Sequence, residues 1–237
     1  TRCLMSGMAG SKQGWVEAPY CPCPAGIDEV AAQIVDIKPG RISIVPGLCD
    51  THDGLPDVMR GEEVQIFGAA ALAGVRDGLF VLPGTHSKWA EVRNGRIEGF
   101  RTFMTGEFYA LLSQHSILSR TLIADAPFDE AAFRSGVTAP RHSGLLHSAF
   151  SARTLALFDR LPAPSAASYL SGLLIGAELQ AQALRAGDEV ALIGSAALTE
   201  RYTLALSCFD AKARIFGSEA TWAGLAALAR TRFTSTS

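Results

Sequence analysis

Apolar and polar positions alternate along this chain in two distinct rhythms. From Leu79 to Phe103 the rhythm is that of strands: Leu79 to Leu82 is a continuous apolar run, and Lys88 to Arg93 and Arg96 to Phe103 alternate on either side of Asn94-Gly95. Asn-Gly between alternating runs signals a hairpin, because both residues tolerate the positive φ that a two-residue turn demands. A three-stranded antiparallel meander is expected, with Pro83-Gly84-Thr85-His86 turning between its first two strands. Beyond it the period lengthens. Apolar residues recur at three and four, as in Leu170, Leu173, Leu174 and Ala177, and predict helices over 106–118, 129–134, 145–161 and 166–186. Two strand–turn–helix units follow, a strand at 190–193 with a helix at 196–206 and a strand at 211–216 with a helix at 219–230. Gly194-Ser195 and Gly217-Ser218 stand at the turns. Such units predict parallel crossovers, whose loops lie at the carboxyl ends of strands, where ligands bind in open α/β sheets.

The residues before Leu79 show the same alternation without a meander. An apolar entry at 2–6 leads into a Gly-rich loop, then a helix is expected at 27–37, a strand at 41–45 ending in Pro46-Gly47, and a helix at 56–74. The pattern predicts an α/β protein of two architecturally related halves, 1–77 and 78–237, the first lacking its opening three strands and a helix. Thr1, running straight into Cys3-Leu4-Met5, reads as a start in mid-fold.

Composition narrows the partners. With 237 residues, 48% hydrophobic and 19% charged, the chain has an ordinary globular balance. A net charge of −2 without a Lys/Arg run argues against nucleic acid, and apolar runs too short for a bilayer argue against a membrane. Five scattered cysteines suit a reducing compartment and a cytoplasmic protein. Cys21-Pro22-Cys23 lacks zinc-knuckle spacing and is read as small apolar filler. His52, His115, His142 and His147 lack ligand spacing and are read as structural or surface residues, whereas His86 lies in the proposed ligand turn.

Three segments carry candidate chemistry. The backbone N–H groups of the Pro83–His86 turn, with the hydroxyls of Thr85 and Ser87 and the ammonium of Lys88, form a plausible cradle for phosphate oxygens; plain turn punctuation is the alternative. Asp57-Val58-Met59-Arg60-Gly61-Glu62-Glu63 gathers charge at an expected helix start. Its acids serve either as helix-dipole complements or as a proton acceptor in a cleft, with Arg60 facing a phosphoryl group or a substrate acid. Gly194-Ser195-Ala196 opens a helix after a strand and leaves room for a nucleoside, or is a simple turn. Gly172 and Gly176, four apart, permit close helix packing at least as readily as ligand contact.

Taken in order, Gly7-Met8-Ala9-Gly10-Ser11, Gln13-Gly14-Trp15, Glu17-Ala18-Pro19-Tyr20, Val45-Pro46-Gly47-Leu48, Asp57 to Glu63, Leu82 to Trp89, Phe103 to Glu107 and Tyr169 to Glu178 closely resemble the 2-dehydro-3-deoxygalactonokinase family. The resemblance runs nearly end to end. It implies two ribonuclease-H-like domains of the sugar kinase, heat-shock chaperone and actin superfamily, closing over nucleotide and sugar acid. The implied reaction uses ATP and Mg²⁺ to phosphorylate the 6-hydroxyl of 2-dehydro-3-deoxy-D-galactonate in galactonate breakdown. Gly84, Thr85, His86, Ser87 and Lys88 then resemble the second phosphate-binding turn, and Gly194, Ser195 and Ala196 the nucleoside turn. Asp57, Arg60 and Glu62 belong to the cleft, with one of the two carboxylates as base and Asp57 slightly preferred. Gly7, Ser11, Gln13, Trp15, Thr105, Gly106 and Glu107 would line the sugar-acid pocket. The family's opening Asp-Trp-Gly-Thr type turn has no counterpart here, in keeping with the missing first meander. Two further readings stay open: an actin-like phosphohydrolase with Glu62 activating water, and a non-catalytic sugar-acid-binding remnant. Self-association into a homo-oligomer is also left open.

Overall fold

A computed structural model of the chain describes residues 2–52, 54–139 and 144–234. The meander forms as expected. Strands β7 (Gly78–Leu82), β8 (Ser87–Arg93) and β9 (Arg96–Phe103) pair antiparallel, and Asn94 and Gly95 turn at φ 52 and 78. Strands β10 (Glu189–Ile193) and β11 (Lys212–Phe216) extend this sheet in parallel on the other side of β7, giving the order β11-β10-β7-β8-β9. Helix α8 (Ala196–Ser207) joins the two added strands, and α9 (Glu219–Thr234) follows. Both faces of the sheet are covered, which explains the unbroken apolar run in β7: Phe80 and Leu82 enter one core and Val81 the other. Taking a side chain the size of Phe80 out of water contributes on the order of 2 kcal/mol.

The N-terminal part keeps one such crossover. Strand β1 (Cys3–Met5) lies parallel to β4 (Ile42–Ile44), and α1 (Ile27–Ala32) falls between them in the chain. Antiparallel to β4 runs β3 (Val35–Lys38), where the expected 27–37 helix has already ended; Val35 and Ile37 alternate with polar residues and satisfy a sheet edge instead. A second small sheet pairs β2 (Tyr20–Pro22), β5 (Gly47–Asp50) and β6 (Asp57–Met59). The helix expected from residue 56 therefore starts later, as α2 (Glu62–Ala73), after Gly61 at φ 109.

Helices fill the remaining space: α3 (Thr105–His115), α4 (Glu130–Thr138), α5 (Gly144–Ser148), α6 (Ser151–Leu157) and α7 (Ala166–Gln180). The single helix expected over 145–161 is two shorter ones. Gly172 and Gly176 serve packing: a Cβ there would stand 2.0 and 2.2 Å from the Phe133 and Val137 carbonyl oxygens of α4. Helices α2 and α9 cross as closely, since a Cβ on Gly68 would reach 1.7 Å from the Ala220 oxygen and one on Gly224 1.9 Å from that of Val64. Among the described residues no helix is long and apolar enough to cross a membrane.

Candidate active site

Pro83 ends β7 because it has no N–H to offer the ladder. The turn it begins rests on the first turn of α3. The Glu107 N–H donates to the Thr85 carbonyl at 3.0 Å, and His86 Nε2 lies 2.6 Å from Glu107 Oε2. Gly106 permits this contact, since a Cβ there would come within 2.5 Å of the Gly84 oxygen. Among the described residues the N–H groups of Gly84 and Thr85 meet no protein acceptor. They border a cleft of about 520 Å³ lined by Leu82 to His86, Ser6 to Met8, Arg60 to Glu62, Gln65, Ile193, Gly194 and Thr221. Segments far apart in sequence, the Pro83–His86 turn, the Gly7 loop, the start of α2 and the end of β10, thus share one cavity.

At the start of α2 two carboxylates fold back on the chain. Glu62 Oε2 accepts from the Arg60 N–H at 2.9 Å and Glu63 Oε2 from the Gly61 N–H at 2.7 Å. They then diverge. Glu62 lines the cleft, whereas Glu63 is wholly buried and its carboxyl is pushed up to about 8 by that burial. The Arg60 guanidinium lies 4.3 Å over the Tyr20 ring and donates from Nη2 to the Ala18 oxygen at 2.8 Å.

Asp57 and Lys88 meet outside the cleft lining. In strand β6, Asp57 accepts from the Val58 N–H at 2.7 Å and from the N–H and hydroxyl of Thr102, both at 2.6 Å. Lys88 is 7% exposed and donates to the Val58 carbonyl and the Thr102 hydroxyl, both at 2.6 Å, with Asp57 Oδ1 at 4.0 Å. Burial lowers its ammonium pKa, while Glu62 and Asp57 pull the other way. The pair ties β6 to β8 and β9.

A second buried carboxylate collects four donors from three elements. Glu178 on α7 accepts from Ser87 Oγ at 2.7 Å, Trp89 Nε1 at 2.6 Å, Tyr202 OH at 2.7 Å and Thr105 Oγ1. Desolvation raises its pKa and the four hydrogen bonds oppose the rise, except that the tyrosine also faces the carboxylate's charge and is itself driven well above its ordinary value by burial. Ser87 and Thr105 are therefore committed to this hub beneath the turn.

The family model for 2-keto-3-deoxy-galactonokinase matches residues 1–228. The chain belongs to that family. The probable 2-dehydro-3-deoxygalactonokinase of Rhizobium meliloti (strain 1021) is 40% identical over 236 residues, which cover 96% of this chain and 77% of the relative. The 2-dehydro-3-deoxygalactonokinase of Escherichia coli (strain K12) is 36% identical over 237 residues, 97% of this chain and 78% of the relative. A crystal structure of a 2-dehydro-3-deoxygalactonokinase protein from Sinorhizobium meliloti superposes with a TM-score of 0.90 at 39% identity, covering 98% of this chain and 80% of that one. The resemblance read from the motifs is thus a family relationship, and the mixed α/β fold goes with it.

Within this galactonokinase-family fold, the other expected residues fall as follows. Gly7, Arg60, Glu62, Gly84, Thr85, His86 and Gly194 meet in the cleft, with Glu107 reaching it through His86. Ser195 and Ala196 open α8 beside Gly194 and are exposed. Gln13 and Trp15 are exposed on the 7–18 loop outside the cleft lining, and Ser11 is buried. His52 pairs with Asp50 at 2.5 Å; His142 lies outside the described residues. Cys21 is buried and accepts from Gln33, and burial pushes the Cys23 thiol up to about 12. Sequence reasoning missed Glu178 as a hub and Glu63 as a core residue. The available signal was an acid standing within an apolar helical stripe, Leu-Leu-Ile-Gly-Ala-Glu in one case and Glu-Val-Gln-Ile-Phe in the other.

Proposed function

We propose that this protein transfers the γ-phosphoryl group of ATP to the 6-hydroxyl of 2-dehydro-3-deoxy-D-galactonate, a step of galactonate breakdown in the cytoplasm. The observation that carries the reading is the shared cleft, in which the Pro83–His86 turn faces Glu62 across 520 Å³. The free N–H groups of Gly84 and Thr85, the Thr85 hydroxyl and His86 hold the nucleotide's phosphate oxygens, and Gly194 leaves space for the nucleoside. Glu62 is the only carboxylate in the cleft lining among the described residues and takes the hydroxyl proton as the oxygen attacks; Asp57, saturated by Thr102 and Val58, is left a structural role.

Mg²⁺ fits this cleft. Among the described residues no group of three His, Cys, Asp or Glu could hold a metal ion alone. A cation carried on the nucleotide's phosphate oxygens, with Glu62 and water nearby, matches the way this ion is usually held. When bound it neutralises phosphate charge.

The fold reading that accompanies the activity is two ribonuclease-H-like units, 1–77 and 78–237. The strand order β11-β10-β7-β8-β9 supports it for the second, and the parallel β1/β4 crossover followed by α2 supports a partial first.

An ADP-release assay with ATP, Mg²⁺ and the sugar acid tests the activity. Release is expected only when the sugar acid is present, and Glu62→Gln should lower kcat about 10²–10⁴-fold while leaving the unfolding midpoint unchanged. Equal release without the sugar acid identifies a phosphohydrolase instead.

A further inference from the structure

Among the described residues, the buried side-chain polar atoms without a hydrogen-bond partner are Ser11 Oγ, Arg60 Nε and Nη1, and Glu63 Oε1. Ser11 stands on the 7–18 loop and Arg60 and Glu63 flank the start of α2, and Arg60 joins the two segments by donating from Nη2 to the Ala18 oxygen. A Cβ on Gly10, next to Ser11, would lie 3.2 Å from Arg60 Nη1, and Arg60 acts electrostatically on Glu63. An unmet buried polar group costs about 1–3 kcal/mol, so several in one place call for a partner.

We propose that Ser11, Arg60 and Glu63 form an anion pocket opening off the cleft that takes the carboxylate of the sugar acid. The assignment rests on the kinase reading above. Its chemistry follows from the donor inventory. A guanidinium only donates, and a serine hydroxyl can donate. Glu63 Oε2 already accepts from the Gly61 N–H, so the protonated form that burial favours carries its proton on Oε1 and donates too. Donors around one fixed positive charge select an acceptor that is itself negative. Arg60 also lines the cleft, so the pocket and the phosphate turn can hold opposite ends of one substrate.

Calorimetric titration of the protein without nucleotide tests the pocket, using 2-dehydro-3-deoxygalactonate and its C1 carboxamide. The carboxamide is expected to bind at least about tenfold more weakly, and Ser11→Ala to weaken the acid about three- to tenfold. The Ser11→Ala unfolding midpoint should stay level or rise, because the deleted hydroxyl had no partner; a merely structural serine would lower it. Wild type should lose affinity for the acid as the pH passes about 8, whereas Glu63→Gln, which keeps a donor and cannot ionise, should not share that loss. The charges acting on Glu63 are Glu62, which opposes its ionisation, and Arg60, which favours it. Unchanged acid affinity in Ser11→Ala overturns the pocket, as does equal affinity for acid and carboxamide, or a loss of ATP affinity in place of acid affinity. Acid binding that depends on Ser11 without ADP release in the kinase assay would sink the kinase reading and leave the pocket standing.

Discussion

Glu63 and Glu178 are both buried in helices, and desolvation raises the pKa of both, yet their surroundings are opposite. Glu178 is met by Ser87, Trp89, Thr105 and Tyr202, from β8, α3 and α8; Glu63 is met by backbone N–H groups alone and keeps an oxygen with no partner. A saturated buried carboxylate ties elements together, and its desolvation is offset by its donors. A half-satisfied one is a local weakness of the fold, of the kind found where a ligand completes the set. The two acids thus separate a fixed floor under the Pro83–His86 turn from an adaptable wall beside it.

The largest expected effect is that of Glu178→Ala, which orphans four donors, three of them buried, and should cost about 3–5 kcal/mol in urea unfolding. Should it cost less than Glu63→Ala, the contrast between the acids is broken. Next comes pH. The folded-state pKa of Glu63, about 8, lies above its ordinary 4.5, so its contribution is complete below about pH 4.5 and is lost as the pH rises toward 8. Glu63→Gln should therefore gain on wild type over that window by an amount on the order of a few kcal/mol, read from thermal midpoints between pH 4 and 9. The smallest change is Tyr202→Phe, which removes one donor of four and should cost about 1 kcal/mol. Its readout is the KM for ATP, which should rise while the KM for the sugar acid holds, because Tyr202 and Ser87 meet at Glu178 beneath the Pro83–His86 turn proposed to hold the nucleotide.

Legibility in sequence followed the range of the interactions. The meander was readable because Asn94-Gly95 and Pro83-Gly84 set their turns by local backbone geometry, and the two crossovers because a strand, a Gly-Ser turn and a helix recur in order. Gly172 and Gly176 allowed a close helix contact by their spacing, and the approach of α4 decided it over ligand contact. The placement of Asp57 was not readable: its helix-like neighbourhood is overridden by pairing with Asp50 and by Thr102, 45 positions away. Lys88 looked like a phosphate ligand beside the turn, but strand alternation sends it to the junction with Asp57 and Val58. Glu178 depends on partners up to 91 positions distant, and no local pattern in the chain encodes such a meeting.

The two glycine crossings differ mechanically. Helices α4 and α7 touch at Gly136, Gly172 and Gly176, a seam along successive turns that holds the pair in line like a rail. Helices α2 and α9 touch at Gly68 and Gly224 alone among such contacts of the described residues, and the first turns of both helices reach the cleft through Glu62 and Thr221. The α2–α9 crossing is the shorter lock, two reciprocal contacts one turn apart where α4 and α7 have three, and it sets both cleft-lining ends against each other.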